Sequence, residues 1–207
     1  MTTIEEIAAR LAGLSPRGLE EVRAFVELVH RKEAGVVDPA TYSGVSSAAW
    51  SFDFLENLRE ATLSASRDPA GMEIRVADAT CGGVTRPALW EHPPASGSAN
   101  VGFLVPVPSG LNPIKLKFAT GIRDGAELPT DRGVAFRVLV NGWKLWSTVK
   151  NARAWEEHEL EMPQIGSDVA RIEFVTDGLG DSRWNWAVWG EPRLEGEKQA
   201  GAKSRLS

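Results

Sequence analysis

The chain has one cysteine, Cys81, so no internal disulfide can form. Its three histidines, His30, His92 and His158, lie too far apart for metal-ligand spacing. No block of Lys or Arg occurs, and the formal net charge is -5; both argue against nucleic acid as the main partner. No apolar run is long enough to span a bilayer, which argues against membrane insertion by a helix. The opening MTTIEEIAAR lacks the apolar core of a signal peptide. These absences point to the cytoplasm, or to a particle assembled there. Catalytic signatures are also missing: no G-x-S-x-G, no H-E-x-x-H, no phosphate-binding glycine loop, no C-x-x-C. Carboxylates are plentiful, but no spacing singles out an acid/base pair of the glycosidase kind. Cys81 has no histidine beside it and reads as a small buried residue rather than a nucleophile. The expectation is a protein that is not an enzyme.

What is present divides the chain. At 207 residues, 43% hydrophobic and 25% charged, it fits one soluble domain plus an appendage. Ile4, Ile7, Ala8, Leu11 and Leu14 recur at helical spacing. Ser15-Pro16 then suits an N-cap and first helical position, and a second stripe of Leu19, Val22, Phe25, Val26 and Val29 runs to about Glu33. Residues 1–34 therefore read as a helical hairpin, too short to be stable alone. It packs on its own domain, or it self-associates through residues 4–33 as an oligomerisation or anchoring element. Its LSPRGLEEVRAFVELVHRKE resembles the short helical leaders of some bacterial antitoxin-like proteins. Residues 35–49 read as a linker, and WSFDFLENLREATL from Trp50 fits either a strand or a short helix.

From Met72 the period changes to two. Met72, Ile74 and Val76 alternate with polar neighbours. So do Val101, Phe103, Val105 and Val107, then Ile114, Leu116 and Phe118, then Val134, Phe136, Val138 and Val140. Asn141-Gly142 between two apolar runs is a strong hairpin signal, with Trp143–Val149 as the return strand. Ala170, Ile172, Phe174 and Thr176 make another strand, and Trp184–Trp189 the last. The fold class expected is mainly β: a jelly-roll β-sandwich over residues 50–194, preceded by the helical hairpin and followed by a disordered tail, 195–207.

Eight tryptophans against one tyrosine give this domain large flat surfaces, and those outside the core are candidate platforms. On a regular last strand, Trp184, Trp186 and Val188 share one face, and Asn185, Ala187 and Trp189 the other. Trp143 and Trp146 fall on opposite faces of theirs. Trp90 and His92 sit in WEHPP, which two prolines mark as a stiff connector. The loop GIRDGAELPTDRG supplies Arg123, Asp124, Glu127, Asp131 and Arg132. Carboxylates accept from sugar hydroxyls, Arg donates paired hydrogen bonds, and the same carboxylates could hold a structural Ca²⁺. Asp181, Arg183 and Asn185 add polar partners beside Trp189. Flat indoles with hydroxyl-matching neighbours suit pyranose rings, so a glycan is the expected ligand.

ALWEHPP, KLKFATGIRDGA, DRGVAFRVLVNGWKLW and the closing WNWAVWGEPRL, in that order, resemble the NPCBM-like carbohydrate-binding modules. The resemblance spans roughly Trp50 to Leu194. It implies a galactose-binding-domain-like jelly roll with a non-catalytic, sugar-binding role, often accessory to a larger enzyme. The chain departs from that pattern in carrying no catalytic domain or export signal, and in having Asn185 where related modules commonly have Asp. The alternative is a structural or decoration subunit of a virion or other large assembly, anchored by the helices.

Overall fold

The period-two runs fold as strands. The computed structural model describes residues 49–163 and 169–198, with isolated positions (7, 8, 11–13, 19, 22, 23 and 26) before them. Apart from those positions, the helical hairpin, the linker up to its last residue, and the tail from residue 199 lie outside the described residues. The chain divides into two compact units, Met1–Thr41 and Tyr42–Ser207, and the strands belong to the second.

Eleven strands occur among the described residues: β1 (Ala49–Asp53), β2 (Thr62–Ala65), β3 (Glu73–Cys81), β4 (Val84–His92), β5 (Ser98–Pro106), β6 (Leu111–Ile122), β7 (Val134–Val140), β8 (Trp143–Lys150), β9 (Glu156–Glu161), β10 (Val169–Asp177) and β11 (Ala187–Lys198). The segment from Trp50 is both things it could have been: β1, then a 3₁₀ turn at Leu58–Glu60. One antiparallel sheet runs β3-β4-β11-β6-β9, with β1 pairing the second half of β11; the other runs β2-β5-β10-β7-β8. Among the described residues, no helix is long and apolar enough to cross a membrane.

The alternation dictates the layers. Val101, Phe103 and Val105 of β5, Val134, Phe136, Val138 and Val140 of β7, and Ala170, Ile172 and Phe174 of β10 turn inward and are buried. Leu89, Leu116, Phe118, Ile122, Trp189 and Leu194 meet them from the other sheet. Phe54, Phe103, Phe174 and Trp189 interlock edge to face, with Phe54 4.9 Å from both Phe103 and Phe174, and Phe174 4.9 Å from Trp189. Each such pair adds about 0.5–1.5 kcal/mol beyond simple burial. Asn141 and Gly142 both take positive φ (51° and 83°), as a two-residue hairpin turn requires.

Two sequence expectations fail here. The tail does not begin at Glu195, because β11 runs to Lys198 and is paired on both edges, with Glu195 opposite Ser51 and Lys115. Backbone pairing orders a stretch whose polar side chains gave no strand signal. Nor does the last strand start at Trp184: residues 182–185 form a turn closed by the Asn185 N–H on the Ser182 carbonyl, and regular pairing starts at Ala187.

β11 is covered on both faces, so no alternation of buried and exposed residues is seen along its first half. Only Ala88–Trp90 of β4 pair with it. The rest of the β3–β4 hairpin curls across the outer face of the six-stranded sheet. There Ala79, Cys81, Ala88 and Val188 form a second small core. The hairpin tip is fastened by Asp124, whose carboxylate accepts from the N–H groups of Gly82 (2.8 Å) and Gly83 (2.9 Å). The Asp124 N–H donates to the Thr80 carbonyl at 2.8 Å. Trp155 lies over Gly121 and Gly190, where an added Cβ would stand 2.9 Å from its ring, and its indole N–H donates to the Val84 carbonyl. Only glycine lets the indole this close.

Burial, and then the nearby Asp124 charge, push the Cys81 thiol up to about 12. The folded protein is therefore expected to leave Cys81 unreactive toward a thiol reagent at pH 8, with full reaction after urea. Fast labelling of the native protein would mean that the curled hairpin opens.

Candidate functional site at the loop end

The connections 66–72, 93–97, 123–133, 151–155 and 178–186 all cross between sheets at one end of the sandwich. The 123–133 and 178–186 loops and the end of β8 enclose an open groove of about 560 Å³. Asp131, Arg132, Asn151, Val149, Leu179 and Asp181 are among its lining residues. That volume is in the range of small-ligand sites.

The 178–186 loop is held from within. Asp181 accepts from the Arg183 backbone N–H (3.0 Å) and guanidinium (2.8 Å), and it forms an ion pair with Arg132 across the groove. Asn185 is buried, and its amide donates to the carbonyls of Gly178 and Asp181. Gly178 must stay glycine, since a Cβ there would stand 2.5 Å from the Asn185 amide nitrogen. Thus braced, the loop holds two large apolar residues on left-handed backbone: Leu179 (φ 54°) and Trp184 (φ 66°). Both remain exposed, Leu179 at 53% and Trp184 at 38%. Bulky residues rarely adopt this conformation, and such strain gathers at functional sites. Trp184 stands three residues past Asp181 on the same loop, beyond the lining itself.

The site residues expected from sequence part company. Asp131 and Asp181 line the groove, and Arg183 is held on Asp181. Glu127 is exposed on the same loop as Asp131 but outside the lining. Asp124 is a structural clip: the two glycine N–H donors hold its carboxyl below its usual range, Gly83 first.

Trp189 and Asn185 are corrections. Trp189 is 0% exposed, with its indole N–H donating to Glu91 Oε2 at 2.6 Å. Asn185 is 1% exposed and its amide braces the loop from within. Trp90 and His92 belong to β4, because the strand continues up to the prolines rather than yielding to a connector. The Arg75 and Arg123 guanidinium carbons lie 3.9 Å and 3.4 Å from the Trp90 centroid. Two groups that near one centroid must take opposite faces, so neither face of Trp90 is open. His92 Nδ1 is bonded to the Asn185 carbonyl at 2.8 Å.

Trp146 packs against the core beside Phe118 and His158. Burial holds His158 below the usual histidine range. Trp143 is 81% exposed, at the start of β8, the far end of the strand that finishes in the groove. A strand of that length puts it more than about 20 Å away.

Sequence reasoning missed Leu179, Val149 and Asn151 and weighted Trp189 above Trp184. The available signal for Leu179 was Gly178-Leu179-Gly180, an apolar residue between two turn glycines. Among the described residues, no three His, Cys, Asp or Glu side chains cluster as metal ligands would, so the calcium option has no such cluster behind it.

Fold and groove together define a two-layer antiparallel β-sandwich with an open groove at its loop end. The chain is similar to CBM51 from Clostridium perfringens GH95 in complex with methyl-galactose (TM-score 0.47, 10% identity, covering 70% of this chain and 99% of that one). It is similar to the Stig cyclase Fisc from Fischerella sp. TAU (0.46, 12% identity, 75% and 92%). It is also similar to CBM51-2, in complex with GlcNAc, and INT domains from Clostridium perfringens ZmpB (0.45, 11% identity, 65% of this chain), spanning only 29% of that longer chain. Modules of the CBM35 and CBM61 families are further neighbours, so carbohydrate-binding modules recur among the similar structures. No protein-family profile and no curated protein matches.

Proposed function

We propose that this chain is a non-catalytic saccharide-binding β-sandwich whose site is the loop-end groove. The observation that carries the reading is the braced 178–186 loop, which sets exposed Leu179 in the lining with Asp131, Asn151 and Asp181 and carries exposed Trp184 three residues past Asp181, outside the lining. A pyranose offers apolar C–H faces and hydroxyls: Leu179 and Val149 give the groove an apolar surface, Asp131, Asn151 and Asp181 meet hydroxyls, and the Trp184 indole lies further along the loop for a sugar that extends past the groove. The loop is cross-linked before any ligand arrives, so little ordering entropy opposes binding. Asp181 is engaged by two guanidinium groups, Arg132 and Arg183, which suits an ionic brace better than an acid/base catalyst.

A screen over galactose-, glucose- and N-acetylhexosamine-terminated glycans, followed by calorimetry, tests the reading. Trp184→Ala is expected to weaken binding about 30-fold or more while leaving the fold intact. A wild-type chain that binds no glycan would sink it. A second reading, contact with another protein in an assembly, is favoured by Trp143, whose indole is exposed at the other end of the sandwich. On that reading Trp143→Ala changes the measured mass of the particle and leaves glycan binding alone.

A further inference from the structure

We infer that Arg123 is the positioning residue for the exposed Trp184. It is the central rung of a stack, Arg75–Trp90–Arg123–Trp186–Trp184, that fixes the outer indole before ligand arrives. The Arg123 guanidinium carbon lies 3.4 Å from the Trp90 centroid and 4.7 Å from that of Trp186. Arg75 closes the other face of Trp90 at 3.9 Å. Trp186 carries the stack outward, 5.4 Å from Trp184 at an interplanar angle of 53°. The rungs come from β3, β4, the first residue after β6 and the lead-in to β11, so segments far apart in sequence share one column.

The central rung is also fixed through its backbone. The Arg123 N–H donates to the Trp186 carbonyl at 3.0 Å, and the next residue is tied to Thr80, Gly82 and Gly83. Among the described residues no ion pair involves Arg123; its guanidinium lies over two rings, with the charges of Glu73 and Arg75 also acting on it. A guanidinium over an indole gains most when water is kept away, and Arg123 is half-buried, with desolvation pulling its pKa below the usual arginine value. The bland account is that the column merely fills the outer face of the sheet. It leaves unexplained why the column ends on an exposed indole whose left-handed backbone persists only if its surroundings hold it there.

Ordering of the Trp184 ring rests on this geometry alone; its effect on affinity rests on the saccharide reading above. The test uses the full chain with ¹⁵N-labelled tryptophan, the Trp184 indole signal being the one lost in Trp184→Phe. In the wild type its ¹⁵N relaxation should match that of Trp186. In Arg123→Ala the Trp184 indole should become mobile while the signal of buried Trp189 stays put, and glycan affinity should fall roughly tenfold. Arg123→Lys keeps charge and stem but not the planar group, so it should restore neither property in full.

Unchanged Trp184 relaxation in a folded Arg123→Ala protein overturns the proposal, and a loosened ring with undiminished affinity in a glycan-binding chain overturns its effect on affinity. If Arg123→Ala does not fold, Arg123→Lys decides alone, and a Trp184 as rigid in it as in the wild type overturns the claim. A ring that loosens in a protein whose wild type binds no glycan upholds the positioning role and removes only the saccharide reading.

Discussion

Trp189→Ala is expected to bring the sandwich to the edge of unfolding. The indole is fully buried and packs against Phe118, Phe136 and Phe174 at 5.4, 5.1 and 4.9 Å. Truncating a core tryptophan costs about 3–5 kcal/mol. The substitution also leaves Glu91 Oε2 without its 2.6 Å donor in a dry core, worth about another 1–3 kcal/mol. Together these approach the whole stability of an ordinary domain, about 5–15 kcal/mol. Trp189→Phe keeps an aromatic ring in the core while removing the N–H and part of the indole's packing, so it falls between wild type and Trp189→Ala. Urea midpoints for the three proteins should fall in the order wild type, Phe, Ala; a Trp189→Ala midpoint equal to wild type would refute this account of the core.

Glu91 itself should make stability depend on pH in an unusual direction. It is 0% exposed, and burial raises its pKa well above the ordinary 4.5 against the opposing hydrogen bonds from Trp189 and Thr176. Its Oε1 has no hydrogen-bond partner among the described residues. A carboxyl whose folded pKa is raised stabilises the fold fully below its unfolded value, and loses that contribution as pH climbs toward the folded value. Between the two, folding takes up a proton and stability drops by about 1.4 kcal/mol per pH unit. Glu91→Gln keeps an acceptor for the indole and has no proton to take up. Its stability relative to wild type is expected to improve steadily from pH 4.5 upward in urea titrations, with the difference narrowing toward pH 4. Parallel pH profiles for the two proteins would show that Glu91 does not carry a raised pKa.

The same two residues show what the sequence could and could not disclose. The strands β5, β7 and β10 were legible because each has one face in the core, so apolar side chains recur at every second position. Around Trp189 that signal fails, because the curled β3–β4 hairpin buries the outer face as well and Val188 is as sealed as Trp189. Trp184 escaped the alternation because its left-handed backbone takes it off the strand path.

The 121–133 loop was legible as a dense patch of charge. Which of its charges meet the groove depends on the β10–β11 loop, more than forty residues further on. Asp124 and Asp131 look alike in sequence. One is taken by glycine N–H groups of a distant hairpin, and the other faces open space. Trp90 was misjudged for a related reason, since the arginines that cover it come from β3 and from the loop after β6.

The pairing of β1 with the end of β11 bears on how the groove is approached. Ala49 lies opposite Glu197, so the outer ends of the first and last described strands lie side by side, at the pole remote from the groove. The loop end that carries the groove is thus left clear of both outer ends of the described strands, so a ligand there meets no chain end among the described residues.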